Sequence, residues 1–276
     1  MIIKADANSD LNALFNTDTK EELVVELPAA FTYRQKVKIN RDNVTIMGNG
    51  SKIVYTDCNG NYENTIRYNT ATADSAVLSI NGSTVLIRDL IVENDFDYEK
   101  AKKEREEATK KMGLQAVAVY ISPSSDEVVF DCCRLLGHQD TLFADGVHNL
   151  FVDCTIEGSV DFIFGRANAD FHNCTIVSNG EGFVCAPSTK ADSDMGFSFM
   201  DCTFTATEGV PERSVYLARP WHPWGDEGVS SFMFVSNCKL GNHINLKLWT
   251  SMMDSRGKNH LPQENRFIID DQSILN

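Results

Sequence analysis

The 276-residue chain is 42% apolar and 23% charged, without a long tract of biased composition, which excludes a disordered chain and lets it bury a sizeable core. Its net charge of −14 argues against a working surface for nucleic acid or an anionic membrane, since either needs clustered Lys and Arg. Nowhere do about 18 uncharged apolar residues run together, so no membrane span is expected.

The opening MIIKADANSDLNALF has no basic stretch ahead of a long apolar run, so any export signal is either absent or already removed. A short helix is expected to cap this end. FTYRQKVKI (31–39) and VTIMGNG (44–50) then read as strands; GNG is a turn, because the third glycine of a dinucleotide loop is missing. NDFDYEKAKKEREEATKKMG (94–113) is dense in Lys and Glu, lacks Pro and β-branched residues apart from one Thr, and reads as an exposed helix inserted just before Gln115. Its plain reading is a solvated loop helix; a sharper one makes it a cleft rim that limits how long a polymer can bind.

From there the chain repeats itself. FDCC ends at Cys133, FVDC at Cys154, FHNC at Cys174, FMDC at Cys202 and VSNC at Cys238, at intervals of 21, 20, 28 and 36 residues. Each cysteine has an apolar residue three positions earlier, and in four of the five units Asp or Asn precedes it directly. IRDL, ending at Leu90, is a related unit with leucine in the cysteine slot. Short alternating segments such as NLFVDCTIEG, broken at Gly, Asn or Ser, are strands followed by turns. A self-similar period near 20 residues built of short strands predicts a solenoid, and hence an all-β, single-domain parallel β-helix spanning 1–276. Residues one period apart would then lie about 4.8 Å apart and point the same way. The cysteines should form a buried ladder of free thiols rather than disulfides or metal ligands.

GHQDTLF (137–143) and GSVDFIFG (158–165) place Asp140 and Asp161 at nearly the same phase of successive coils. Two adjacent carboxylates cannot both ionise cheaply, so one keeps a proton while the other stays charged. The plain alternative is that Asp140 caps a turn and Asp161 satisfies backbone amides.

LQAVAVY (114–120), GHQDTLF, GSVDFIFG and YLARPW (216–221) occur in the order and approximate spacing of the signature segments of pectin methylesterases, the aspartyl esterases of carbohydrate esterase family eight. The resemblance covers roughly residues 20–250 and implies a right-handed parallel β-helix of the pectin-lyase type. It further implies Asp161 as nucleophile, Asp140 as general acid and then base, Gln115 and Gln139 as the oxyanion hole, and Arg219 as the group that holds Asp161. Trp221 and Trp249 become candidate sugar-stacking walls, with Phe143 where the family usually has Tyr. No metal or organic cofactor is implied. The expected partner is methyl-esterified homogalacturonan or its oligomers, bound by a monomer.

The chain departs from the family pattern in three places. Ala218 stands where Gly is typical, which matters if that backbone needs positive φ. Arg166 follows DFIFG where a small or polar residue is usual, and a cation there would favour galacturonate already stripped of its methyl group. The tail from 251 to 276 matches poorly. G-x-S-x-G and H-E-x-x-H are missing, which sets aside serine and zinc hydrolases. A polygalacturonate glycosidase and a non-catalytic pectin-binding β-helix stay open as alternatives. The family is mostly exported, so the lack of a visible signal leaves two expectations: a leader already removed, or an enzyme working inside the cell.

Overall fold

The computed structural model describes residues 1–59, 72–107 and 113–275. Its strands stack in three parallel columns, which makes the chain a right-handed parallel β-helix. One column runs from Val37–Ile39 through Leu78–Ile80, Val119–Ile121 and Leu142–Ala144. It continues through the later parts of Thr155–Gly165 and Thr175–Pro187 to Val215–Ala218. A second runs from Ile2–Lys4 and Leu23–Glu26 to Phe232–Ser236 and Arg266–Ile269, and the third from Thr32–Arg34 to Lys239–Leu240 and Ile274–Leu275.

The register between coils reproduces the cysteine spacing. Arg134 lies beside Thr155, Thr155 beside Thr175, Thr175 beside Thr203, and Thr203 beside Lys239. The residues just before them, Cys133, Cys154, Cys174, Cys202 and Cys238, therefore form one column, buried and free of disulfides. Leu90 heads it as expected, and Ser51, paired with Leu90, extends it one coil further. The apolar residue three positions earlier is a second ladder: Phe130, Phe151, Phe171 and Phe199 stack with centroids 5.3, 4.7 and 4.4 Å apart. The longer intervals of 28 and 36 residues are absorbed by loops, chiefly 188–196 and 219–231, outside the ladder.

The Asp or Asn before each cysteine has a backbone cause. Asp89, Cys132, Asp153, Asn173, Asp201 and Asn237 all sit at φ between 50° and 57°, the left-handed region that turns the chain from one column to the next. Asn and Asp tolerate that region better than other side chains, and stacking adds a hydrogen bond of 2.5 Å from Asn237 to Asp201.

The expected N-terminal cap is helix Leu11–Phe15, with the Asp10 carboxylate accepting from the Asn12 amide at 2.9 Å and Leu11 and Phe15 fully buried. The charged insertion is shorter than 94–113. Asn94 ends strand Val85–Asn94, its buried amide donating to the Asp57 and Val117 carbonyls, and the helix spans Tyr98–Glu107; 108–112 lie outside the described residues. Nor is it wholly solvated, since Tyr98 is buried with its ring stacked 5.2 Å from that of His138. The poorly matching tail supplies one more coil, Arg266–Ile269 pairing with Phe232–Ser236.

If the corners set the turn between columns, Asn173→Val should cost roughly 1–2 kcal/mol, because a β-branched residue does not tolerate the left-handed conformation as Asn does, and Asn173→Gly clearly less. Urea denaturation midpoints of the two variants check this; equal losses would contradict it.

Candidate active site

The first column presents its outward residues to a cavity of about 600 Å³. Leu142 pairs with Ile163, and the same offset sets Asp140 beside Asp161 one coil away, as their phase in the repeat requires. Both aspartates sit at positive φ, 68° and 49°, and both are 7% exposed. Gly165, which closes the DFIFG segment, has φ 124°, and a Cβ there would stand 2.0 Å from the Ala144 carbonyl oxygen. Only glycine lets the two coils approach at that point.

Strand Val215–Ala218 delivers Arg219 to the same cavity. Its Nε donates to Asp161 Oδ1 at 2.8 Å and its Nη2 to Oδ2 at 2.5 Å, a two-point clasp that holds both carboxylate oxygens. The guanidinium itself rests 3.8 Å from the centre of the Phe183 ring. Ala218 is buried in ordinary strand conformation and pairs with Cys185, so the column does not need positive φ there and alanine is accommodated.

Asp140 has no such clasp. Burial pushes its carboxyl well above the usual carboxylate range, and the neighbouring Asp161 charge pushes the same way; Arg219 and a hydrogen bond from Gln139 oppose them without winning. The cavity therefore holds two carboxyl groups in different environments, Asp161 held by a cation and Asp140 favoured in its protonated form. Gln115 and Gln139 line the cavity beside them. The Gln115 carbonyl oxygen Oε1 accepts from the Leu114 amide at 3.1 Å, and its Nε2 donates to no group among the described residues.

Aromatic rings form the cavity floor. Phe143 lies between Tyr120 and Phe164 at centroid distances of 5.0 and 4.2 Å, and Trp221 stands edge-on to Phe164 at 5.6 Å. Trp249 is elsewhere: it packs against the core beside Phe267, 5.1 Å away, and does not line this cavity. Its expected sugar-stacking position is thus corrected: the indole is partly buried against the core and the last coil. No described residue of helix Tyr98–Glu107 lines the cavity either.

Arg166 lines the cavity, and sequence reasoning missed its partner. Asp145, 7% exposed, accepts from both the Arg166 amide and its Nε. The two are 21 residues apart, the Asp140 to Asp161 interval, so the repeat could have revealed the pair. Tyr120, opposite Phe143 in the register, was recoverable in the same way. Trp224 and Met252 come from a loop and from the tail, where no period applies.

A parallel β-helix whose lateral cleft holds an arginine-clasped aspartate beside a buried, proton-retaining one defines the class of this protein. Its family follows from comparison with known proteins: the pectinesterase family model matches residues 7–261, and the chain belongs to that family. Pectinesterase A of Dickeya chrysanthemi is 30% identical over 234 residues, 77% of this chain and 64% of that protein. A probable pectinesterase A of Aspergillus flavus is 40% identical over 144 residues, 51% of this chain and 43% of that protein. The chain thus spans less than two thirds of the length of these relatives. Among solved structures, a pectin methylesterase in complex with a hexasaccharide superposes with a TM-score of 0.86 at 26% identity, covering 99% of this chain and 88% of that one.

Because the folded-state pKa of Asp140 is raised, the native protein holds a proton that the unfolded chain gives up above the ordinary carboxylate range, about pH 4. The favourable contribution of this group is complete below that range and is lost as pH rises towards the raised value. Asp140→Asn needs no proton, so its melting temperature relative to the parent should be higher at pH 7 than at pH 4. Thermal melts at the two pH values decide it; a difference of the opposite sign would contradict the protonated assignment.

Proposed function

We propose that this protein hydrolyses the C6 methyl ester of galacturonate units in pectin or methylated oligogalacturonides, releasing methanol. The observation that carries this reading is the two-point clasp of Arg219 on Asp161 beside a buried Asp140 that retains its proton. The hexasaccharide bound by the similar pectin methylesterase supports a saccharide as the ligand class.

In the proposed reaction an Asp161 oxygen attacks the ester carbonyl carbon while Arg219 holds and aims the carboxylate. Negative charge moves to the carbonyl oxygen, where the amide N–H groups of Gln115 and Gln139 receive it. The tetrahedral intermediate collapses, the C–O bond to methoxide breaks, and Asp140 gives the leaving group its proton, forming methanol. Asp140, now ionised, takes a proton from water as that water attacks the acyl-enzyme anhydride. The anhydride C–O bond to Asp161 breaks, restoring its carboxylate, Asp140 is protonated again, and the galacturonic acid departs and gives its remaining proton to solvent. Phe143, Phe164 and Trp221 offer apolar faces to the sugar and the methyl group.

Methanol release from highly methylated pectin, measured with reducing ends in the same tubes, tests the reading. Methanol without new reducing ends, abolished by Asp161→Asn, is the expected result. New reducing ends would point instead to glycosidic cleavage, and no methanol from polymer or oligomer would point to binding alone.

The oxyanion role predicts a second result. Gln115→Leu should lower kcat about 10²-fold with KM little changed, because the donor acts on charge that develops only in the transition state. A change confined to KM in steady-state kinetics would reassign Gln115 to ground-state binding.

A further inference from the structure

Two histidines outside the cleft are stacked ring on ring. His222 opens the loop that brings Trp224 to the cavity. His260 belongs to a hairpin of the tail, Met252–Met253 pairing with Asn259–His260, whose Met252 reaches the same cavity. The rings lie 3.5 Å apart at 8° to one another and are 8% and 4% exposed. Neither lines the cleft; both line a smaller cavity of about 240 Å³, with Glu227, Lys258 and Glu264.

Each ring has a hydrogen placed by its partner. A backbone carbonyl only accepts, so the 2.9 Å contact of His222 Nδ1 with the Asp226 carbonyl puts the hydrogen on Nδ1 and leaves a lone pair on Nε2. That Nε2 is buried and bonds no group among the described residues. His260 Nε2 lies 2.9 Å from Asp254 Oδ2, a bond that brings the Asp254 carboxyl down to about 2, so Nε2 donates and the carboxylate accepts. Asp254 is fixed in turn by the Arg256 and Lys258 amides at 2.8 and 3.0 Å. The loop sits directly on this hairpin: a Cβ at Gly225, φ 67°, would stand 2.8 Å from both Asp254 Oδ2 and Arg256 Nε.

A proton added to His222 would go to Nε2, and every nearby carboxylate is already engaged. Asp254 serves His260, the Asp226 side chain is held by Lys190 at 2.6 Å, Glu227 lies 3.7 Å from Lys258, and Glu264 accepts from the Leu261 amide at 3.2 Å. Burial therefore lowers the proton affinity of His222, and His260 and Lys258 lower it further; the Asp226 carbonyl and Asp254 oppose them without restoring the ordinary value.

We propose that the His222–His260 stack is a proton-sensitive fastener, which holds the loop 222–226 and its Trp224 against the tail hairpin and releases them when His222 is protonated. The two histidines are positioning residues, acting on the cleft through Trp224 and Met252. An imidazole freed with the loop takes its proton in the ordinary range, about pH 6.5, whereas the stacked one resists it. The contribution of the stack is therefore complete above that range and is lost as pH falls through it towards the lowered value.

Amide hydrogen exchange of the protein at pH 7 and pH 5, corrected for the intrinsic pH dependence of exchange, tests this. Residues 222–228 and 252–260 should lose about tenfold in protection at pH 5, while the strands around Cys154 and Cys174 keep theirs. His222→Asn retains an N–H donor for the Asp226 carbonyl and has no proton to gain, so the difference between the two pH values should vanish in it, which a merely structural role of the ring would not bring about. Nitrogen NMR of the parent's histidines needs no variant: His222 should carry its hydrogen on Nδ1 at pH 7 and titrate below the ordinary imidazole range. Equal protection at the two pH values in the parent, a loss shared equally by the ladder strands, a difference that survives His222→Asn, or a His222 titration at or above the ordinary range overturns the fastener. None of these readouts passes through the esterase reaction, so they stand whatever the methanol assay returns.

Discussion

Six successive coils of this protein, from Asp89 to Asn237, are turned at a residue held near φ 50°, and the register of the ladders and of the site depends on those corners. A left-handed residue lets the chain change direction in a single step, so the strand on either side keeps its register with the coils above and below. Where the corner residue is Asp or Asn, the side chain tolerates the conformation and can hydrogen-bond along the stack. The cysteine after the corner points inward, and so does the phenylalanine before it. Small thiols and flat rings then fill the interior as continuous ladders, because identical shapes at one spacing pack without gaps.

The same constraint makes a cleft out of residues distant in sequence. Asp140, Asp161 and Arg219 come from different coils, yet they meet because the column that carries them is in register. One acid is clasped by a guanidinium and the other is left to burial, so two chemically identical groups stand in different environments and Asp140 is the one that burial favours in its protonated form. In the proposed reaction that difference is what lets one act as nucleophile and the other as acid. The aromatic floor follows from the same stacking, since Tyr120, Phe143 and Phe164 face outward on successive strands.

Much of this was legible in the sequence because a solenoid writes its tertiary contacts as a period. The intervals of 21, 20, 28 and 36 residues between cysteines are the offsets of the strand register itself, and Leu90 takes its slot in the ladder. The five polar site residues expected from the family resemblance all line or reach one cavity. The Asp145 partner of Arg166 was also written in the 21-residue interval and went unread. Trp249 failed for the opposite reason: it lies beyond the last matched motif, where neither period nor motif says which way a side chain turns.

The sequence by itself determined the period, the identity of the ladder residues and the phase at which two aspartates meet, because each depends only on spacing along the chain. The tertiary structure alone decided the proton preference of Asp140, the two-point geometry of the Arg219 clasp and the arrival of Trp224 and Met252 at the cavity. Those depend on burial, on the direction of neighbouring charges and on loops whose course no repeat dictates. Spacing determines which groups become neighbours, while the surrounding dielectric and the geometry of each contact determine what those neighbours do to one another.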